Sequence, residues 1–133
     1  HSLDRISLAD EIEKQAEKHS LTAHCLIEIN MGSELSKGGI DPDGLESFVD
    51  SLRGYRSIGV DGIMSVMPNV EIQPLIGYFR RFAKLFDLLK SMEGGNVSAK
   101  YASCGMTNDY AAAIEYGGSN MIRPGRVLFG ARN

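Results

Sequence analysis

Apolar residues recur at helical spacing in several stretches of the chain and crowd into short runs between them. Leu8, Ile12 and Ala16, with Ala9 beside them, carry the four-residue repeat of a helix reaching about His19. Ser7 is its predicted N-cap and Asp10 a weaker capping-box partner, while Glu11, Lys14, Glu17 and Lys18 face outward. Leu45, Phe48, Val49 and Leu52 mark a second helix that starts at Pro42 or Asp43 and stops at Gly54. The longest stripe is Leu75, Phe79, Phe82, Phe86 and Leu89, with Pro74 tolerated in the first turn and the helix running to about Met92. A fourth, alanine-rich helix is predicted from Asn108 to about Tyr116, ended by Gly117-Gly118.

Between these lie denser runs without the helical period. Ala23–Asn30 is rich in apolar residues and not cleanly alternating, as in an interior parallel strand covered on both faces. Ile58–Met64, Ala99–Ser103 and Asn120–Arg123 are further strand candidates, and Ser2-Leu3-Asp4 fits a strand end. Val127–Gly130 opens a last helix or turn. Strand and helix therefore alternate, which predicts an α/β fold with a parallel sheet, either doubly wound or closed into a barrel. An eight-unit barrel needs about 250 residues, and 133 residues hold roughly half of one.

Composition narrows the class. The apolar fraction is 43%, and 14 basic residues face 17 acidic ones, for a net charge of -3. That balance describes a single cytoplasmic domain spanning residues 1–133, with no call for nucleic acid or an anionic membrane as partner. No apolar run approaches the roughly 20 residues of a membrane span. Cys25 and Cys104 are far apart and expected to be reduced. His1, His19 and His24 have no ligand spacing, and no acidic cluster forms a metal motif.

Two loops carry candidate chemistry: Ser103-Cys104-Gly105-Met106-Thr107-Asn108-Asp109, and Arg123-Pro124-Gly125-Arg126. Glycines and small hydroxyls beside a helix start supply the free N–H groups that a phosphate needs. The alternative for Thr107 or Asn108 is a helix cap. A second patch is the glycine- and serine-rich loop Met31–Asp41 with its one lysine, Lys37, where Asn30 stands at the strand end. Lys37 is either an anion contact or a solvated lysine, and Asn30 either a pocket residue or a structural hydrogen bonder. Met64 and Met67 are barrel-end lining or core.

Four pieces of the chain, His1–Arg5 (HSLDR), Ile29–Ile40 (INMGSELSKGGI), Ser103–Gly118 (SCGMTNDYAAAIEYGG) and Ile122–Arg132 (IRPGRVLFGAR), resemble the pyridoxal-phosphate homeostasis proteins. Their barrel is similar to the amino-terminal domain of alanine racemases. The resemblance spans the chain in register but only the carboxy-terminal part of a family member, a little over half. It implies the second half of a (β/α)8 TIM-type barrel that needs the missing amino-terminal half, or a partner chain, to close. The family's first strands and the lysine that bonds the cofactor covalently have no counterpart here.

The resemblance also implies roles. Ser103, Gly105, Met106 and Thr107 would follow the seventh strand and hold the phosphate of pyridoxal 5'-phosphate, by the hydroxyls of Ser103 and Thr107 and the amides of Met106 and Thr107. Arg123 would stand at the pyridine nitrogen and Gly125 would meet the phosphate through its backbone. A guanidinium only donates, so it keeps that nitrogen unprotonated and the cofactor a weak electron sink. Lys37 and Asn30 would flank the site, Lys37 as a contact for the anionic cofactor or a substrate carboxylate, or as a second amine able to form an aldimine reversibly. Cys104 stands where the family commonly has methionine. The function implied is cofactor binding, buffering and delivery to cofactor-dependent apoenzymes without robust turnover. The alternative is an amino-acid racemase, which would need a second base and usually a following domain, and the end of the chain at Asn133 counts against it. A scaffold without cofactor is the third reading.

Overall fold

In the computed structural model, which describes residues 1–132, helices and strands alternate as the pattern predicts. The expectations that extend to Asn133 lie outside the described residues. The elements are α1 (Ile6–Lys18), β1 (Ala23–Glu28), a 3-10 turn (Pro42–Gly44) running into α2 (Leu45–Leu52), β2 (Ile58–Met64), α3 (Ile72–Ser91), β3 (Val97–Ser103), α4 (Tyr110–Gly117) and the short α5 (Gly125–Phe129). The three strands form one parallel sheet in the order β1-β2-β3. Single bridges extend it at both sides, Leu3 beside Ile27 and Met121 beside Ser103.

One core joins helices to sheet. The α3 stripe is buried residue for residue as its period requires: Leu75, Phe79, Phe82, Phe86 and Leu89. It meets Cys25, Ile27, Ile58, Val60, Ile63, Val97 and Ala102 from the strands, and Val49 and Leu52 from α2. Side chains alternate along a strand, so His24, Leu26 and Glu28 have the opposite parity to Cys25 and Ile27 and face away from the helices. Met67 belongs to the helix-side core, whereas Met64 is buried without joining it.

The termini of elements differ from expectation where a tertiary bond wins over a local one. Ser7 does not cap α1: the helix starts at Ile6 after Arg5, with no side-chain cap. Asp10 instead accepts the Tyr55 hydroxyl at 2.5 Å, and Glu13 takes the amides of Arg56 and Ser57, both at 2.8 Å. These bonds fasten α1 to the turn before β2. The strand expected through Asn30 ends at Glu28, although Ile29 still bridges Ile40. The predicted Asn120–Arg123 strand is reduced to the Met121 bridge, because Asn120 turns back on β3: its amide donates to the Ala102 carbonyl and its side chain pairs with Ala102 and Lys100. Asp109 rather than Thr107 or Asn108 holds the N-cap position of α4, without a side-chain cap, and Gly118 closes the helix in the left-handed region at φ +62°. Among the described residues no helix is long and apolar enough to cross a membrane.

The sheet is irregular at Gly62. The register shifts on both sides of β2 there, and a β-carbon on Gly62 would sit 2.7 Å from the carbonyl carbon of Tyr101 and nearer its oxygen. Gly77, in exposed mid-α3, has nothing within 4 Å of an added β-carbon. Gly62→Ala is therefore expected to destabilise by about 2 kcal/mol or more through backbone overpacking, and Gly77→Ala to stabilise by about 0.5–1 kcal/mol through helix propensity. Urea unfolding of the two variants checks the opposite signs.

Candidate functional site

The site is built where the strands end. Ser65 leaves β2 and Ser103 closes β3, side by side, with the Ser65 amide donating to the Ser103 carbonyl at 3.0 Å. Both serines are fully buried. Arg123 reaches in from the segment after Met121. Its Nη1 donates to Ser103 Oγ at 2.6 Å and its Nη2 to the Ser65 carbonyl at 3.1 Å. The Ser65 hydroxyl donates onward to the Ile29 carbonyl at 2.6 Å. One guanidinium thus ties together the ends of all three strands.

The loop after β3 takes its shape from Gly105. Its φ of +98° lies in the region that favours glycine, and a β-carbon would come within 2.7 Å of the Ala113 β-carbon in α4. Its carbonyl accepts the Arg123 amide at 2.8 Å. Ser119 clamps the same loop from below: its buried hydroxyl lies 2.7 Å from the Cys104 carbonyl and 3.2 Å from those of Ala102 and Met121. The Thr107 hydroxyl accepts the Arg126 amide at 3.2 Å, which closes the two loops against each other.

Four of the predicted residues, Met106, Thr107, Arg123 and Gly125, share one cavity of about 750 Å³, lined also by Arg126, Phe129 and Arg132. Their backbones are not all free to bind. The Met106 amide, expected to face an anion, already donates to the Asp109 carboxylate at 2.6 Å. The Gly125 amide is turned back on the Arg123 carbonyl at 2.9 Å. The Thr107 amide has no hydrogen-bond partner among the described residues, and its hydroxyl proton remains available. A β-carbon on Gly125 would meet nothing within 4 Å, so the wall there is open to the cavity.

Asn30 and Lys37 are placed elsewhere. They line two smaller cavities of about 200 and 260 Å³ at the end of β1. The Asn30 carboxamide is spent on its own loop, donating to the Glu34 carbonyl at 2.7 Å and accepting the Glu34 amide at 3.1 Å. Lys37 is half exposed and pairs with Glu34 at 3.3 Å. Glu28 lies between the patches. Burial raises its carboxyl above the ordinary value, Asp4 adds to that, and Arg123 opposes it. Burial in turn pulls Arg123 down, against the attraction of Asp109 and Glu28.

Ser65, Ser119 and Glu28 shape the site without being predicted, and Asp109 and Arg126, within the candidate loops, had no role assigned. Ser65 and Ser119 sit in short loops that read only as turns. Asp109 is the acid at the end of the SCGMTND loop, three residues after Met106, the spacing at which its carboxylate accepts the Met106 amide.

Among the described residues no group of three His, Cys, Asp or Glu is gathered as a metal would require. Cys104 is inaccessible, and burial pushes its thiol up to about 12 despite the hydrogen bond from Ser119. Because this folded value is raised above the ordinary 9.0, the associated stability is complete below that pH and is lost as pH rises towards 12. At about pH 8 iodoacetamide is expected to leave Cys104 unmodified in the native protein and to label it in denaturant; mass spectrometry of the digest separates the two.

Known proteins share this architecture. The chain matches the family described as "Alanine racemase, N-terminal domain" over residues 1–133. It is 38% identical to the pyridoxal phosphate homeostasis protein of Aquifex aeolicus over 99% of its own length and 57% of that protein's. It is similar to the crystal structure of an unknown protein from Bifidobacterium adolescentis, with a TM-score of 0.87 and 31% identity over 97% of this chain and 51% of the other. It also superimposes on PipY of Synechococcus elongatus with PLP bound, at a TM-score of 0.83 and 22% identity, covering 98% of this chain and 59% of PipY. The chain spans a little over half the length of the curated relatives it matches.

Proposed function

The chain belongs to the alanine racemase N-terminal domain family, and from that premise we propose that it forms the phosphate and ring-nitrogen side of a pyridoxal 5'-phosphate site in a cofactor-homeostasis protein. The observation that carries the reading is the juxtaposition at the 750 Å³ cavity: a half-buried, doubly braced guanidinium beside a free hydroxyl and amide on Thr107. The relative from Aquifex aeolicus is named for pyridoxal phosphate homeostasis, and PipY carries PLP in a fold like this one.

The residues fit that cofactor chemically. Thr107 offers a hydroxyl and an amide to a phosphate, with the cations Arg126 and Arg132 on the same wall. Gly125 leaves room for the approach. Arg123 is a donor without acceptor capacity, so at a pyridine nitrogen it stabilises the unprotonated form. When bound, the cofactor supplies a reactive aldehyde and an electron-accepting ring. A ring facing arginine accepts electrons weakly, which suits holding and delivering the cofactor better than turning over amino acids.

The covalent anchor and the remaining strands would come from a further segment, or a partner chain, that closes the barrel along the edges marked by Leu3 and Met121. The recipients would be cofactor-dependent apoenzymes in the cytoplasm. Asn30 and Lys37 act at the rim, where Asn30 holds the loop that presents the lysine.

Arg123→Met in the full-length protein is expected to shift the absorbance of bound pyridoxal 5'-phosphate and to weaken its retention about tenfold or more, as loss of a charge-assisted contact does. Spectral titration and dialysis measure both. An unchanged spectrum and affinity would remove Arg123 from the site, and brisk racemisation of alanine by the same protein would favour an enzyme instead.

A further inference from the structure

We propose that Ser103 is a positioning residue for Arg123 and not a phosphate ligand, an inference that rests on the cofactor reading above. The loop's two hydroxyls, Ser103 and Thr107, look equivalent in the sequence. The structure separates them. Thr107 lines the large cavity and keeps its proton to donate. Ser103 is fully buried, does not line that cavity, and receives Arg123 Nη1 at 2.6 Å, the shortest contact the guanidinium makes.

The geometry has a consequence for the cation. A guanidinium is planar, with its N–H groups in a rigid fork. Held at Nη1 by Ser103 Oγ and at Nη2 by the Ser65 carbonyl, its plane is fixed by two points on adjacent strand ends. The Ser65 carbonyl is itself held in place by its neighbours, since the Ser65 amide is bound to the Ser103 carbonyl and its hydroxyl to the Ile29 carbonyl. Ser103 Oγ is the one side-chain contact of the two, so it decides where the remaining donors of Arg123 point. Ser103 therefore acts through Arg123 on the ring, and Thr107 acts on the phosphate.

Pyridoxal, which lacks the phosphate, and pyridoxal 5'-phosphate together separate these roles in the full-length protein. Ser103→Ala is expected to change the absorbance of the bound cofactor and the pH at which it titrates, while the affinity ratio of the two ligands stays within about twofold of wild type. Thr107→Ala is expected to lower that ratio about tenfold or more, with the spectrum kept. In an Arg123→Met background, Ser103→Ala should add no spectral change, because the group it positions is gone. If Ser103→Ala does not fold, Ser103→Cys, which keeps the shape and weakens the acceptor, is read by the same two quantities. A fallen ratio with an unchanged spectrum would make Ser103 a phosphate ligand and overturn the proposal, and so would no change in either. Wild-type protein that binds neither ligand would instead overturn the cofactor reading itself.

Discussion

A guanidinium cannot leave water without hydrogen-bond partners, and that constraint shapes the carboxy-terminal ends of the strands. Arg123 is half-buried, and withdrawing a charge from solvent is costly unless its donors are satisfied. Arg123 recovers part of this through Ser103 Oγ and the Ser65 carbonyl, groups the sheet already holds rigid. The brace works because β2 and β3 end in register, with Met64 opposite Ser103. A one-residue slip would turn Ser103 to the helix side and leave the cation unmatched.

Register is secured by the close approach at Gly62 and by the contacts below the loops. Where β2 and β3 draw together, only hydrogen fits between Gly62 and the Tyr101 backbone. Asn96 plays a related part at the other end of β3, its Nδ2 donating to the Leu52 carbonyl at 2.8 Å and to that of Ile58 at 3.1 Å. Ser119 then fixes the loop over β3 from beneath. The functional loops are short spans between anchored points, which is how a loop can hold a fixed array of donors.

Much of this was legible in sequence, for identifiable reasons. The α3 stripe and β2 follow from periodicity and apolar density, which depend on burial alone, and burial is what the sheet imposes. The candidate loops were legible because glycines and hydroxyls cluster there, and Gly105 proves to be required by its backbone. What was not legible depends on long-range partners. Asp10 abandons a local cap for Tyr55, a residue far along the chain. Asp109 closes the Met106 amide, and Asn120 turns the last predicted strand into a single bridge. Ser103 and Thr107 differ only in which side of the loop they face, a property set by β3 pairing and invisible to composition.

Glu28 connects the two patches that the chain keeps apart. It lines the cavity of Asn30 and Lys37, yet it feels Arg123. Burial and Asp4 favour its neutral form while the guanidinium favours its charged form. An anion placed against Arg123 would offset the guanidinium's charge and weaken the pull on Glu28, which would then hold its proton more tightly. Asp4 also accepts the Gly39 amide at 2.9 Å and so anchors the loop of Lys37. Glu28 therefore feels the cation on one side, and both carboxylates border the lysine loop on the other.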